Sequence, residues 1–490
     1  MTKKTHQKLK VHWMDTPLEY QQEGSFCWAS LTKSAAYMGK NGEKQWSSDE
    51  KSAQRKIEKL LDWPSGTISV FQQAFHLGLD RFTGWDLSAV GSEKKLASYV
   101  TAASVYKRGV ATSQFTKPTK KKSLKGQYDI VLSQDLSAID KRLDEADFIV
   151  VDHNVERAWP HLEDFRHLSL GSVSEVNKNL QTVATILQAW KQAGAKKRWV
   201  AIGGGITTDL VGFAAYLAQA SIVMVPTTVL AMVDASVGGK TGTNFPPYGK
   251  NQIGAFYFPR EVILWSGWLI TLTERHIKSG GSECIKHCLL VRNKNLTKRL
   301  VKALAEVNLE EIADFLPELV AVKSNIVSED AKETGKRAIL NLGHTLAHAL
   351  EAVSHHSEIG VYKTIEHGEA VGLGLFYATI LSHHLGLMEK SDQDYILNIL
   401  IESRCLISKA QLRSCLGVKA LNSVELWKHL EEALLHDKKQ KDQKGEFVRF
   451  VLLKKSGVVC HDKKYGYTIP VACSDLHKAW QKFIKLLPHQ

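Results

Sequence analysis

No run of 18 or more uncharged apolar residues occurs in the sequence, so no membrane-spanning helix is expected. The opening stretch MTKKTHQKLKVHWMD is basic and lacks the apolar segment of a secretory signal. Cysteine is scarce and scattered. The seven residues, at positions 27, 284, 288, 405, 415, 460 and 473, form no CxxC pair, which argues against a disulfide framework and a cysteine-bound zinc. A reducing, cytoplasmic setting is expected from this pattern. Internal repeats and low-complexity tracts are also missing. With 44% hydrophobic and 23% charged residues, the 490-residue chain has an ordinary globular composition and is long enough for two or three domains.

One further absence is local. Residues 233–257 read VDASVGGKTGTNFPPYGKNQIGAFY, and the GGKT at their centre invites a Walker-type reading. A phosphate loop needs a glycine five positions before Gly239, and that position holds Asp234. A carboxylate in the cradle would repel the phosphate, so a P-loop is excluded. The net charge of +13 is uneven as well. Residues 1–125 carry 21 Lys/Arg against 11 Asp/Glu, a net +10, leaving +3 for the other 365. A basic appendage on a nearly neutral body fits this better than a nucleic-acid-binding enzyme.

KPTKKKSLKGQ (117–127) reads as a linker. Beyond it, strand-like runs YDIVLS (128–133), FIVVD (148–152), RWVAIGG (198–204) and IVMVPTT (222–228) alternate with helical patterns, including 175–194 and the segment opening at TTDLVGFAAYLA. That alternation predicts βαβ units and a parallel sheet. From about 275 the pattern becomes helical, over 281–303, 309–331, 343–353, 367–386 and 392–403, with one strand-like run at EFVRFVLL (446–453). The expected architecture is therefore a Rossmann-like α/β domain over 127–270, a mostly helical domain over 271–490, and a basic N-terminal extension of unknown function over 1–125. Within the extension, Cys27 in EGSFCWAS is expected to be a small buried residue.

Two constellations carry chemistry. GGGITTD (203–209) joins a strand to a helix, where first-turn amides favour a pyrophosphate, although Thr208 stands where the full G-x-G-x-x-G has its third glycine. On the helical side, Glu283 and Lys286 are spaced i,i+3, His344 and His348 i,i+4 with Asn341 one turn earlier, and His367 opens another helix. A carboxylate and two imidazoles from three helices make a plausible open zinc site. Taken alone, His344 and His348 read equally well as core histidines.

The ordered series VDHNV, E-x-x-K, GGG-x-x-x-D, VPTTVLAMVDASVGGKTGTN, GKNQIGAFY, EC-I-K, LNLGHTLAHALEA, HGEAVGLG and DKK resembles the 3-dehydroquinate synthase family over about residues 127–470. The resemblance implies NAD and Zn2+ (or Co2+) as cofactors, a sugar-phosphate substrate and a homodimer, with neither membrane nor nucleic acid as a partner of the catalytic body. Asp152 and Asn154 would hold the adenosine-side ribose of NAD, and Glu175 and Lys178 would bind further along it. Gly204, Gly205 and Asp209 would seat its pyrophosphate region, and Thr227, Thr228 and Thr271 would line its nicotinamide side. Glu283, His344 and His367 would bind the metal. Asp234, Lys240, Lys286, Asn341 and His348 would act on the substrate, with Lys250, Asn251, Lys323, Arg337 and one of Lys438 or Lys439 binding it. In such a reaction the C5 hydroxyl of 3-deoxy-D-arabino-heptulosonate 7-phosphate is oxidised transiently, phosphate is eliminated and the ketone is reduced again. Ring opening and intramolecular aldol closure then give 3-dehydroquinate, the carbocycle that feeds aromatic amino acid biosynthesis.

Three departures qualify the resemblance. Between Asp209 and Val225 the family carries an Arg-Gly step whose arginine reaches the phosphate in a neighbouring subunit. DLVGFAAYLAQASIVMV is shorter and has no arginine. Losing one charge-assisted phosphate contact costs about 1.5–3 kcal/mol, enough to slow the chemistry but not to redefine it. NFPPYGKN is one residue longer than the usual loop, and Ser174 stands where a glycine usually precedes the glutamate. Valiolone- or inosose-type cyclases are the alternative enzymes, and a catalytically weak cyclase-like scaffold is the alternative in kind. Lys240, Lys286, Asn341 and His348 standing as in the dehydroquinate enzymes favours the first reading.

Overall fold

A computed structural model describes residues 128–171, 174–245, 249–355, 364–436 and 447–489. The basic extension with Cys27, the linker, and Lys438 and Lys439 lie outside them.

The first half runs β1 (Asp129–Ser133), α1 (Ser137–Glu145), β2 (Phe148–Asp152), α2 (His153–Ala158), β3 (Leu168–Leu170), α3 (Leu180–Gln192), β4 (Arg198–Gly203), α4 (Gly205–Ala218) and β5 (Ser221–Pro226). It continues with β6 (Lys240–Phe245), β7 (Gly249–Phe256) and β8 (Glu261–Trp265). Six strands form one parallel sheet in the order β1-β8-β5-β4-β2-β3. All five residues of β2 and of β8 are buried, as strands covered on both faces require. The chain moves from β2 out to β3, then returns past β2 to β4 and onward to β5. The carboxyl ends of β2 and β4 therefore flank a topological switch point, where α/β sheets bind ligands.

The GGKT segment takes a form unlike a phosphate loop. Gly238 (φ +109°) and Gly239 (φ +67°) make a left-handed turn, and Lys240 begins β6 of an antiparallel hairpin rather than a helix. This hairpin is not anticipated by the strand pattern, because the glycines and prolines of GGKTGTNFPPYGKN read as loop, and β8 is a further strand that the pattern does not single out. Asp234 lies in a single π-helical turn, Ala231–Ala235, a local widening of the helix common at functional sites.

The second half opens with α5 (Glu274–Leu290), α6 (Lys294–Glu306), α7 (Leu309–Glu329), α8 (His344–His355) and α9 (His367–His384). The helix expected over 281–303 is two helices, because the Asn293 side chain accepts the Leu296 N–H at 3.0 Å and starts α6 afresh. Then come α10 (Lys390–Glu402), α11 (Lys409–Leu416), α12 (Val424–His436), the short strands β9 (Phe447–Phe450), β10 (Leu453–Lys455), β11 (Val458–Val459) and β12 (Ile469–Ala472), and α13 (Cys473–Leu486). No helix of the described residues is long and apolar enough to cross a membrane. No disulfide joins any of their six cysteines.

Helix α9 is the centre of this half, and its glycines explain why HGEAVGLG is so poor in bulk. A Cβ on Gly368 would stand 1.8 Å from the Ser279 carbonyl oxygen, and one on Gly374 would stand 1.9 Å from that of Gly343. Backbone thus meets backbone between α9, α5 and the turn before α8, and these are the elements that carry Glu283, His344 and His367. Gly374→Ala is expected to destabilise the protein by about 3 kcal/mol, since the Gly343 carbonyl has nowhere to move. A thermal melt reads this as a drop of several degrees, and an unchanged melt would contradict the close approach.

Candidate active site

The fully buried Glu283 (0% exposed) lies mid-way along α5. Its Oε1 stands 3.4 Å from His344 Nε2 at the start of α8 and 3.6 Å from His367 Nε2 at the start of α9. Neither carboxylate oxygen accepts a hydrogen bond of good geometry. The Lys286 ammonium, one turn along α5, is ion-paired to it. Burial alone would raise the Glu283 pKa, but Lys286 and His344 outweigh it and hold the group well below the usual carboxylate range.

Each imidazole is oriented. The Leu342 carbonyl can only accept, so at 3.1 Å it fixes the proton on His344 Nδ1 and leaves Nε2 facing Glu283. Burial, then Lys286, push His344 down to about 3, so it is a neutral ligand. His367 Nδ1 lies 3.2 Å from Glu351 Oε1. Burial opposes the charge on His367, yet Glu351 raises it to about 10. One ligand atom each from Glu283, His344 and His367 fall within 4.8 Å of one another. A buried carboxylate facing two oriented imidazoles fits a zinc- or cobalt-class ion with a position left open. A metal entering this set displaces the proton on His367, so its affinity rises with pH.

The start of α9 is itself pinned. Arg275 on α5 sends Nε and Nη2 to the two oxygens of Glu369, at 2.7 and 2.8 Å, and Nη2 also donates to the Thr364 carbonyl at 2.8 Å. Glu369 in turn accepts the Glu366 N–H at 2.9 Å in a capping box. The fork ties the helix of one metal-ligand candidate to the first turn of another.

Asp234 lies beside this cluster. Lys323 Nζ on α7 donates to its Oδ1 at 2.7 Å, and Lys286 Nζ stands 3.5 Å from the same oxygen. Burial would raise Asp234, but Lys286 and Lys323 hold it well below the usual range. For Lys286, burial disfavours the charge while Asp234 and Glu283 more than restore it, whereas burial wins at Lys323 and lowers it.

The other substrate-side candidates ring this pair. Lys240 is exposed and ion-paired with Glu333, which accepts Asn341 Nδ2 at 2.7 Å. Lys250 reaches Glu351 Oε1 at 3.1 Å and Glu175 Oε2 at 3.6 Å, bridging the metal side to the nucleotide side. His348 is exposed, with its ring 5.6 Å from that of His344 and 6.5 Å from that of His367. Arg337 (1% exposed) spends Nη2 on the Gly238 carbonyl at 2.7 Å and Nη1 on that of Ala331 at 2.6 Å. Nη2 thus braces the Gly238–Gly239 turn, and Nη1 ties the side chain to the segment after α7. Asn251, in a left-handed conformation (φ +51°), accepts from Lys178 Nζ at 2.6 Å, beside the Lys178–Asp209 pair at 2.6 Å. It therefore stands with the nucleotide-side candidates.

At the switch point, Asp152 ends β2. It accepts the Asn154 N–H at 2.9 Å and the Thr207 hydroxyl at 3.0 Å, and burial raises its pKa. Gly204 and Gly205 open α4. A Cβ on the first would meet Thr228 at 3.3 Å and on the second Ala235 at 3.2 Å, so the backbone lines this crevice closely. The first-turn amides of α4 suit a pyrophosphate. Thr227 and Thr228 follow β5, and Thr271 closes the turn after β8 by donating to the Trp268 carbonyl at 2.9 Å.

The motifs do not single out Glu333, Glu351, Thr207 or Asn244, whose Nδ2 donates to Glu175 Oε1 at 2.8 Å. Glu351 could have been found, being seven residues after His344 on the same helical face. Glu333 could not, because only its positive φ of 58° and the fold bring it to Lys240.

Comparison with known proteins defines the class first. The fold matches the solved structure of 2-deoxy-scyllo-inosose synthase complexed with carbaglucose-6-phosphate, NAD+ and Co2+ (TM-score 0.60, 23% identity, 74% of this chain and 99% of that one). It also matches 2-epi-5-epi-valiolone synthase from Streptomyces hygroscopicus with NAD+ and Zn2+ bound (TM-score 0.57, 22% identity, 75% and 99%). These likenesses show the fold of the sugar-phosphate cyclases. Family models described as 3-dehydroquinate synthase N-terminal and C-terminal match residues 170–279 and 280–440. The 3-dehydroquinate synthase of Legionella pneumophila strain Philadelphia 1 is 40% identical over 290 residues, 58% of this chain and 72% of the relative. That of Leptospira interrogans is 37% identical over 317 residues, 63% and 79%. The chain belongs to the 3-dehydroquinate synthase family, lyases of the shikimate pathway.

Proposed function

We propose that this 3-dehydroquinate synthase converts 3-deoxy-D-arabino-heptulosonate 7-phosphate to 3-dehydroquinate and phosphate at the Glu283 cluster. NAD would lie in the switch-point crevice, and one zinc or cobalt ion on Glu283, His344 and His367. On this reading residues 127–270 form the nucleotide domain, 271–490 the metal- and substrate-binding domain, and 1–125 a separate basic extension. The observation that carries it is a buried carboxylate ion-paired to Lys286, facing two oriented imidazoles, with Lys323 close by on Asp234. When bound, the ion acidifies a hydroxyl it holds and the nicotinamide takes and returns a hydride.

The chain's own residues bind and orient. Lys286 and Lys323, balanced by Asp234, offer donors to substrate oxygens from buried positions. Lys240 can exchange the Glu333 carboxylate for an anionic group of the substrate, and Lys250 can do the same with Glu351 and Glu175. Asn341 supplies an amide donor beside them. His348, exposed and neighbouring both ligand imidazoles, is placed to take a hydroxyl proton on a ring nitrogen. Holding one pose through successive steps is chiefly a matter of orientation. A homodimer is part of the proposal, supported by apolar Tyr216, Leu217 and Phe256 standing exposed on α4 and β7.

Metal removal tests this. The purified chain should hold about one zinc-class ion, lose it to a chelator faster at acidic pH as His367 is protonated, and lose phosphate release with it. Metal-free protein that keeps full activity would refute the assignment of Glu283, His344 and His367.

A further inference from the structure

His287 follows Lys286 on α5 and stands outside every role given above. It is fully buried (0% exposed), and neither ring nitrogen has a hydrogen-bond partner. A buried imidazole with both nitrogens unmet forfeits hydrogen bonds it would make in water, a cost usually avoided unless something fills the gap. One of its nitrogens lies within 4.8 Å of carboxylate oxygens of both Asp234 and Glu283, so the ring is turned toward these two candidate site carboxylates.

A second metal ion does not explain it. Asp234, Glu283 and His287 are donors in number, but Lys323 and Lys286 lie 2.7 and 3.5 Å from Asp234 Oδ1, and Lys286 is also ion-paired to Glu283. A second dication would sit against two ammonium groups. An anion fares no better, because the two lysines are already balanced by the two carboxylates. With both carboxylates already paired to lysines, the buried ring has no counter-ion of its own and stays neutral. A neutral imidazole carries one donor and one acceptor, the complement of a hydroxyl group.

We infer that His287 is a substrate-contacting residue that hydrogen-bonds an uncharged hydroxyl of the sugar phosphate on the Asp234 side of the pocket. This rests on the reaction proposed above and adds to it a specificity contact. A polyol with a hydroxyl there satisfies the orphaned nitrogen, and one lacking it leaves the nitrogen buried and unmet.

The test uses the metal- and NAD-loaded full chain, as wild type, His287→Phe and His287→Gln. The probes are the heptulosonate phosphate and a series of analogues each lacking one hydroxyl. kcat/KM is measured where the reacting hydroxyl is kept and an inhibition constant where it is not. One analogue besides that lacking the reacting hydroxyl should lose about tenfold to a hundredfold in wild type. In His287→Phe the parent should fall by a similar factor and that analogue's extra loss should vanish, while His287→Gln restores part of the discrimination. If the parent is unaffected in both variants, or all members fall equally, the ring is structural and the inference is overturned. If His287→Phe does not fold, the His287→Gln comparison decides alone. A wild type that turns over none of the series overturns the underlying reaction, and the inference with it.

Discussion

Glu283→Gln is expected to abolish metal retention and phosphate release together, lowering kcat/KM by about a thousandfold or more. Changing partners that merely orient a metal ligand costs roughly 10–100-fold, and Glu283 is the one carboxylate of the set. The amide also removes the charge that Lys286 meets inside the protein. Lys286 keeps Asp234 at 3.5 Å, so the ammonium is not stranded, but one negative charge must now balance two lysines. Breaking one half of a buried pair costs about 3–5 kcal/mol, so Glu283→Gln should be less stable even without metal. His344→Ala provides the contrast. His344 is neutral when buried, held down to about 3, so its loss should remove the metal without that charge penalty. Metal analysis and urea melts of the two metal-free variants check this, and equal stability would contradict the electrostatic account.

Asp234→Asn should cost about a hundredfold to ten-thousandfold in kcat/KM, with a distinctive pH dependence of stability. Asp234 is the counter-ion of Lys323, whose pKa burial already holds below the usual lysine range. Without the carboxylate the folded state favours the neutral amine more strongly. The unfolded chain, with an ordinary lysine, then binds more protons than the folded one as pH climbs from the folded pKa toward the unfolded one. Stability rises with pH in that interval. The variant's deficit against wild type should therefore be larger at pH 7 than near pH 9.5. A constant deficit would show that Lys323 keeps its proton without Asp234.

Both results depend on groups whose legibility in the sequence differed. Glu283, His344 and His367 stand out because a carboxylate and two imidazoles sit on three separate helical segments inside motifs resembling one family. The structure brings their ligand atoms within 4.8 Å. The parallel sheet was legible because FIVVD is apolar without alternation, and it forms β2 over Phe148–Asp152. The hairpin of β6 and β7 was not, since glycine and proline punctuate it, and its register follows from close backbone contacts. One is Gly254, where a Cβ would stand 2.2 Å from the Thr241 carbonyl oxygen. His287 was hidden for another reason: a histidine after a lysine on an apolar helix looks like any core residue until both its nitrogens prove unmet. The break at Asn293 was missed because periodicity runs through it, and only a side-chain cap interrupts the helix.

The absent arginine between Asp209 and Val225 is the feature that most favours a weakened enzyme. In its place the turn from α4 to β5 carries Gln219 in a left-handed conformation (φ +51°), with the Lys197 ammonium on the Ala218 carbonyl. Nothing in the Glu283 cluster is eroded to match, since its ligands, lysines and orienting carboxylates are all in hydrogen-bonding or ion-pairing reach of one another.

The most direct measurement is phosphate release from 3-deoxy-D-arabino-heptulosonate 7-phosphate by the full chain, with and without NAD+ and a chelator, beside glucose 6-phosphate and sedoheptulose 7-phosphate. Release from the heptulosonate alone, needing both NAD+ and metal and lost in His344→Ala, is the predicted result. Release from either of the other sugars in its place, or no release from protein that retains metal and binds NAD+, would contradict it.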